Sequence, residues 1–210
     1  MLVWINGPFG VGKTQTASEL HRRLPDSVVA DPEEVGFGLH RMVPRDLRSD
    51  FQDFRAWRAG VVETLDLVLR RHDGVVVAPM TVTRADYFDE TVGRLRGLGH
   101  DVRHFTLLAD RAVIVRRLAE RGLGPRFADL VGRERLLRRQ QFAVDRLEGY
   151  LEALQDDRFA VHVDTDARGL RDVVELVAAS CGLTLSPDTD SPARAALRRA
   201  AVGVRHVRFF

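Results

Sequence analysis

A glycine-rich segment near the start of the chain has the residue types and spacing of a phosphate-binding loop. It fits G-x-x-x-x-G-K-[ST] and lies between an apolar run that predicts a strand and a stretch that predicts a helix. Glycines let consecutive main-chain N–H groups turn toward one anion, and the helix N-terminus adds its dipole. The segment therefore predicts ATP binding by Gly7, Pro8, Phe9, Gly10, Val11, Gly12, Lys13 and Thr14.

Two side chains of this loop have expected roles of their own. Lys13 is the only lysine in the chain, and we expect its ammonium group to contact the β- and γ-phosphates and to act in catalysis. The hydroxyl of Thr14 is the expected metal ligand, because Mg²⁺ at such sites keeps several waters and takes few protein ligands. ATP and Mg²⁺ are thus the expected cofactors.

An acidic residue after the second predicted strand is the candidate catalytic base. Asp31 ends the apolar run 28–31, and a helix is expected to begin at Pro32. In a doubly wound sheet this position opens toward the crevice beside the phosphate loop, where a carboxylate can accept a hydroxyl proton or hold a magnesium-bound water. The alternative is an ordinary N-cap of the following helix, and the two roles are compatible.

Two other classes of phosphate-loop protein fit the sequence less well. A GTPase reads guanine through an Asn-Lys-x-Asp segment, and no lysine follows Lys13. A motor or AAA-type ATPase ends its central strand on an acid that supports Mg²⁺. The candidate central strand here, 75–79, runs instead into Met80 and Thr81. The sequence therefore favours a small-molecule kinase.

Arginines cluster on the helix predicted over 110–121 and just after it. Small kinases place a lid in this position, where guanidinium groups bind phosphate oxygens and neutralise charge during phosphoryl transfer. We expect a lid over about 121–139, hinged at 122–125. The candidates are Arg117 for nucleotide binding and Arg121 and Arg126 for catalysis. A solvated basic face is the alternative for any one of them.

The rest of the chain alternates strand-like and helix-like segments, which predicts a parallel sheet with helices on both faces. Apolar runs predict strands over 2–6, 28–31, 75–79, 104–108 and 159–163. Helical periodicity predicts helices over 14–24, 51–71, 84–98, 110–121 and 170–181, with others from 32 and up to 154. The expected fold is a three-layer α/β P-loop fold of the nucleoside-monophosphate-kinase type. Its expected units are a kinase-like domain over 1–184, a linker over 185–192 and a basic amphipathic helix over 193–210.

Composition argues against several other classes. The 210 residues are 45% hydrophobic and 30% charged, which is typical of a globular protein, and no apolar run approaches the roughly 20 residues that span a bilayer. The formal net charge of +2 is small, so nucleic acid is not expected as a partner. A single cysteine, Cys181, allows no internal disulfide, and we expect a cytoplasmic protein.

Several segments together resemble the tunicamycin-resistance ATP-binding proteins of bacteria. The likeness starts at Trp4-Ile5-Asn6-Gly7, runs through the phosphate loop and covers most of residues 1–185. Its other segments include Asp31-Pro32-Glu33, Met42-Val43-Pro44, Asp50-Phe51-Gln52, Trp57-Arg58, Pro79-Met80-Thr81, Tyr87-Phe88 and His104-Phe105-Thr106-Leu107.

This resemblance implies a nucleotide-kinase-like fold and protection against tunicamycin, a nucleoside antibiotic with uracil and amino-sugar groups. The implied reaction is phosphorylation of a hydroxyl of the drug or of a related UDP-amino-sugar-like substrate. It places Gln52 and Met80 beside Asp31 as substrate contacts. Trp57 and Arg58 are further candidates, since an indole can stack on a ring, although packing explains them equally well.

The family is also described as membrane-associated through a C-terminal helix. Here Leu197, Ala200, Ala201, Val204 and Val207 form an apolar stripe on a basic segment that suits an anionic leaflet. The same stripe is equally compatible with docking on the domain or on a second subunit. We therefore expect a monomer or a homodimer, and peripheral contact with the inner face of the cell membrane is one possible arrangement of the helix. The alternative to an enzyme is an ATP-dependent protein that sequesters the drug at the membrane surface.

Overall fold

Five parallel strands form the centre of the computed structural model, which describes residues 1–121 and 144–205. The strands are β1 (Leu2–Asn6), β2 (Val28–Val29), β3 (Val76–Pro79), β4 (Val102–Leu108) and β5 (His162–Asp164). Their order in the sheet is β2-β3-β1-β4-β5, and each neighbouring pair is parallel. The predicted α/β P-loop fold is confirmed, with β1 at the centre and β3 beside it.

Helices cover both faces of this sheet. Those of the first half are α1 (Lys13–Arg23), α2 (Glu33–Met42), α3 (Arg55–Arg71) and α4 (Ala85–Phe88), which a π-helical turn (Asp89–Gly93) joins to α5 (Arg94–Gly97). Those of the second half are α6 (Arg111–Arg121), α7 (Leu147–Ala153), α8 (Leu170–Ser180) and α9 (Pro192–Arg205). Short 3₁₀ turns lie at Arg45–Leu47, Phe51–Asp53 and Asp157–Phe159.

The central strand divides the core into two halves. Val3 and Ile5 of β1 belong to a cluster with residues of α1, α6 and α8. Leu2 and Trp4 point to the other face and belong to a cluster with residues of α3, α4 and α5. Because β1 is buried on both faces, it reads as a continuous apolar run without polar alternation. The three layers hold the carboxyl ends of β1 and β3 in place, where the phosphate loop begins.

Two predicted boundaries are corrected by local capping. The helix predicted from residue 51 begins at Arg55, because the Asp50 carboxylate accepts a hydrogen bond from the Gln52 amide and closes a 3₁₀ turn instead. The strand predicted from residue 159 begins at His162. Phe159 ends another 3₁₀ turn, capped by Asp156, and its ring is buried in the core. Both errors arise where an acidic residue competes for backbone donors.

The C-terminal helix lies against α1. Gln15 donates a hydrogen bond from Nε2 to the carbonyl of Arg199 at 2.9 Å. The segment predicted as a linker is held along the same helix, since the Ser186 amide donates to the carbonyl of Arg23 at 2.7 Å and Asp188 pairs with Arg22 at 2.8 Å. Docking on the domain is therefore the arrangement of α9 in this structure. Across the described ranges, no helix is long and apolar enough to cross a membrane.

A buried histidine in β4 makes the fold sensitive to acid. His104 is 4% exposed, its ring contacts the rings of Phe88 and Phe159, and its Nε2 has no hydrogen-bond partner in the described part of the chain. Burial lowers the pKa of His104 from 6.5 to about 4, and the positive charge of Arg96 acts in the same direction. The folded protein therefore holds the neutral imidazole.

This shift predicts loss of stability on acidification. Between about pH 6.5 and pH 4 the unfolded chain binds a proton that the folded protein excludes, so the free energy of unfolding falls by up to about 3 kcal/mol as the pH drops through that window. Urea denaturation at several pH values measures it. In His104→Phe, which lacks the titrating group, the slope over this window should be much smaller. An unchanged slope would contradict the assignment.

Candidate functional site

Two glycines of the phosphate loop between β1 and α1 combine a positive φ with a lack of space for a side chain. Gly7 has φ +139°, and a Cβ placed there would lie 2.5 Å from the carbonyl oxygen of Leu107 on β4. Gly10 has φ +86°, and its Cβ would lie 2.8 Å from Cγ of Leu118 on α6. Since both the dihedral and the space exclude a side chain, the loop is packed directly on its neighbours.

Main-chain donors of this loop are available to a ligand. The N–H groups of Gly10, Gly12 and Thr14 have no hydrogen-bond acceptor among residues 1–121 and 144–205. They lie at or just before the N-terminus of α1, where the helix dipole also favours an anion. Unpaired amides at this position are the donor set that a polyphosphate requires.

Lys13 is folded inward over the loop. Its side chain is 8% exposed, and Nζ donates to the carbonyl oxygens of Gly7 at 2.9 Å and Pro8 at 3.1 Å. The ammonium group also lies 5.6 Å from the centroid of the Phe9 ring. The charge is therefore held at the phosphate loop by the carbonyl oxygens of the loop itself.

Two residues that the sequence analysis did not assign to the site hold the loop against the segment after β3. Asn6 is fully buried. Its Oδ1 accepts from the amides of Gly7 (2.8 Å) and Val82 (2.9 Å), and its Nδ2 donates to the carbonyl of Val82 (2.8 Å). The hydroxyl of Thr81 donates to the Gly7 carbonyl at 2.8 Å. We call Asn6 and Thr81 the β1–β3 clamp. In the sequence, the only indication of either residue is that it is polar and lies at the end of an apolar run.

Arg117 braces the other side of the loop. Its guanidinium group donates to the hydroxyl of Thr165 at 2.9 Å and to the Thr165 carbonyl at 2.7 Å, and it lies 3.4 Å from the carbonyl of Val11. It thereby joins α6 and the segment after β5 to the phosphate loop, and its contact with a nucleotide stays a prediction. The side chain of Arg121, all of Arg126 and the rest of the predicted lid lie outside the described residues.

Asp31 caps the helix that follows β2. Its Oδ1 accepts from the amide of Glu33 at 2.9 Å, which is the N-cap role that the sequence left open. The sheet register aligns Val29 with Val77 and Val77 with Val3, so Asp31 lies level with Ile5. Two strand spacings separate them, about 10 Å. Asp31 therefore lies at the same end of the sheet as the phosphate loop, with β3 between the two strands that carry them.

The other predicted substrate residues mostly serve packing. Trp57 is completely buried and donates from Nε1 to the carbonyl of Pro32 at 3.0 Å, which is the packing alternative of the sequence analysis. Arg58 is buried too, pairing with Glu90 and donating to the carbonyl of Gln52. Met80 is also in the core. Only Gln52, which is partly exposed, remains accessible, and the buried residues position the turn that carries it.

A Mg²⁺ ion fits the residues present. The hydroxyl of Thr14 has no hydrogen-bond partner in the described part of the chain, and it follows Lys13 at the start of α1. Within the same residues, no group of three or more His, Cys, Asp or Glu side chains could hold a metal by itself. A single hydroxyl beside a polyphosphate suits Mg²⁺, which usually takes one or two protein ligands together with substrate phosphates and water.

Known proteins share this fold and, in one case, much of the sequence. The family model described as AAA domain (AAA_33) matches residues 2–147, and no curated protein matches the chain. The solved structure of the tunicamycin resistance protein from Deinococcus radiodurans is 32% identical with a TM-score of 0.71. That match covers 89% of this chain and 99% of that one.

Two small-molecule kinases are similar to this chain in fold alone. The gluconokinase from Sinorhizobium meliloti 1021 is 17% identical with a TM-score of 0.57, and the match covers 86% of this chain and 90% of that one. The shikimate kinase from Bacteroides thetaiotaomicron is 15% identical with a TM-score of 0.54, with 87% and 99% covered. The family model carries the description AAA domain, and β3 ends without an acid, as the sequence analysis noted.

The β1–β3 clamp generates a prediction about stability. Asn6→Ala leaves three buried backbone groups without their partner, so we expect the free energy of unfolding to fall by about 3 kcal/mol. Thr81→Val removes one neutral hydrogen bond from a carbonyl that Lys13 still contacts, and we expect a loss of about 1 kcal/mol. Urea denaturation of both variants measures the difference. Equal losses would contradict the central place given to Asn6.

Proposed function

Since the chain belongs to the AAA domain family and to the tunicamycin-resistance ATP-binding proteins, we propose that it is an ATP-dependent phosphotransferase that phosphorylates a hydroxyl of tunicamycin. A related UDP-amino-sugar-like nucleoside is the alternative acceptor of the phosphoryl group. The observation that carries the proposal is the phosphate loop with Lys13 folded onto it, at the same end of the sheet as Asp31.

The reaction transfers one phosphoryl group. A hydroxyl oxygen of the acceptor attacks the γ-phosphorus of ATP, a new P–O bond forms, and the bond from the γ-phosphorus to the β–γ bridging oxygen breaks. ADP leaves with the electron pair of that bond. The hydroxyl proton passes to the carboxylate of Asp31 and then to solvent, so the products are ADP, the phosphate ester and one proton.

Each residue of the site has a role in this scheme. The amides of the phosphate loop and the ammonium group of Lys13 bind the phosphates and offset the charge that develops on the γ-phosphoryl group. Bound at Thr14, Mg²⁺ supplies further charge neutralisation on the phosphate oxygens. Arg117 braces the loop at Val11, and Arg121 and Arg126 remain the proposed catalytic arginines of the lid. Gln52 is the proposed acceptor contact.

A second function, ATP-dependent sequestration of the drug at a membrane surface, draws support from α9. This helix lies against α1, where Gln15 binds the Arg199 carbonyl, and Arg198 pairs with Asp190 of the preceding segment. Leu197, from the predicted apolar stripe, is 73% exposed. An exposed apolar side chain on a basic helix suits peripheral contact with an anionic leaflet on the cytoplasmic side, and a second subunit suits it equally.

Mass spectrometry of the drug tests the enzymatic proposal. After incubation of tunicamycin with the protein, ATP and Mg²⁺, we expect the drug to gain about 80 Da, the mass of one phosphoryl group. Omission of ATP should abolish the gain. A drug that binds the protein and keeps its mass would leave sequestration as the better account.

Variants of Asp31 separate its two roles. Asp31→Asn retains an oxygen that can accept from the Glu33 amide but has no basic carboxylate, so we expect thermal stability to be kept while kcat falls by roughly 10²- to 10⁴-fold. Asp31→Ala lacks both the hydrogen-bond acceptor and the base, so its thermal stability and its kcat should both fall. If the protein instead sequesters the drug, the two changes have the reverse effects on cellular resistance. Cells with Asp31→Asn should then stay resistant, and deletion of residues 194–210 should abolish resistance.

A further inference from the structure

Beside the acceptor side of the crevice, two guanidinium groups contact one tyrosine ring. The Cζ atoms of Arg58 and Arg84 each lie 4.3 Å from the ring centroid of Tyr87. Arg58 is buried and Tyr87 nearly so, whereas 60% of the Arg84 side chain is exposed. We call these three residues the arginine–tyrosine stack. Its outermost member is the accessible Arg84.

Each layer of the arginine–tyrosine stack is fixed by an acid. The hydroxyl of Tyr87 donates to Oδ1 of Asp53 at 2.7 Å, and this hydrogen bond raises the pKa of Tyr87, so the phenol stays protonated. Arg84 binds Asp86 in fork geometry at 3.1 and 2.6 Å. Arg58 binds Glu90 at 2.7 Å. The plane of the Arg84 guanidinium is therefore set before any ligand arrives.

Charge around the stack decides what it can bind. Both guanidinium groups of the stack are already bonded to a carboxylate, Arg84 to Asp86 and Arg58 to Glu90, and Asp53 adds a third acid beside Tyr87. The fork of Arg84 is already used by Asp86. What remains free is the flat face of a weakly hydrated cation, which stacks on planar π-systems. A neutral heteroaromatic ring fits this surface better than a phosphate group does.

The position of the stack relates it to the reaction. Thr81 and Val82 are hydrogen-bonded to the phosphate loop and to Asn6, and the Cα of Arg84 is two residues further on, within about 7 Å of the Cα of Val82. Asp53, bound to Tyr87, is the neighbour of Gln52. The stack thus lies between the loop after β3 and the 3₁₀ turn that carries the proposed acceptor contact.

From this geometry we infer that Arg84 is a stacking site for the nucleobase of the acceptor. A pyrimidine ring that lies on the exposed guanidinium face completes a layered arrangement with Tyr87 and Arg58. The stack then selects nucleoside acceptors over plain sugars. The inference rests on the proposed function only in that the acceptor is a nucleoside, and the binding of a nucleoside can be measured without turnover.

Equilibrium binding of uridine and tunicamycin to the wild-type protein, Arg84→Ala and Arg84→Lys tests the inference. Lysine keeps a positive charge but lacks the planar face, so both variants should bind uridine and tunicamycin roughly tenfold more weakly. The affinity for ATP with Mg²⁺ and the melting temperature should stay close to the wild-type values. In turnover, KM for tunicamycin should rise while kcat changes little.

Arg103→Ala is the matched control. Arg103 is an exposed arginine that also binds an aspartate two residues away, Asp101, but it lies near the start of β4, at the edge of the sheet opposite the phosphate loop. Its removal should leave uridine binding unchanged.

The outcomes separate the two proposals. If uridine does not bind the wild-type protein, if Arg84→Ala binds it as tightly as the wild type, or if Arg84→Ala weakens ATP and uridine binding alike while lowering the melting temperature, the stacking site is overturned. Phosphoryl transfer by Arg84→Ala with an unchanged KM for tunicamycin would refute the stacking site and would still support the proposed function. Weaker uridine binding in both Arg84 variants, together with no transfer by the wild type, would support the stacking site and refute the enzyme.

Discussion

The main-chain carbonyl of Gly7 is the point on which the rest of the site depends. It accepts hydrogen bonds from the ammonium group of Lys13 at 2.9 Å and from the hydroxyl of Thr81 at 2.8 Å. Only glycine permits this, because φ is +139° and a Cβ would lie 2.5 Å from the Leu107 carbonyl. One peptide group thereby links the central strand, the ammonium group of Lys13 and the loop after β3. The phosphate loop keeps its shape through these contacts before a nucleotide binds.

Acids and arginines around the crevice mostly act in pairs that hold surfaces in place. Asp31 caps α2 at the end of the sheet where the phosphate loop begins, and Asp53 fixes the ring of Tyr87. Arg117 joins the phosphate loop to the segment after β5 through Thr165. In a chain with one lysine, rigid guanidinium forks supply this bracing, and the single flexible ammonium group lies on the phosphate loop.

The fold and the phosphate loop were predictable because their signals are local. The glycine spacing around Lys13 and the apolar runs of β1 and β3 need no knowledge of distant residues, and the resemblance extended them to most of the domain. The β1–β3 clamp was not predictable, since Asn6 and Val82 are 76 positions apart and an asparagine at a strand end has many uses. The same limit applies to Trp57, whose burial against Pro32 depends on how α3 packs. The side of α9 that meets α1 likewise depends on hydrogen bonds to a helix about 180 residues earlier in the chain.

Calorimetric titration of ATP into the wild-type protein and Lys13→Met, each with and without Mg²⁺, tests the central claim most directly. Methionine keeps the length and apolar part of the side chain and removes the charge that contacts the carbonyls of Gly7 and Pro8. The wild-type protein should bind ATP more tightly when Mg²⁺ is present, and Lys13→Met should lose at least tenfold in affinity while remaining folded. Equal affinity of the two proteins for ATP, or no effect of Mg²⁺ on the wild type, would contradict a triphosphate site at this loop.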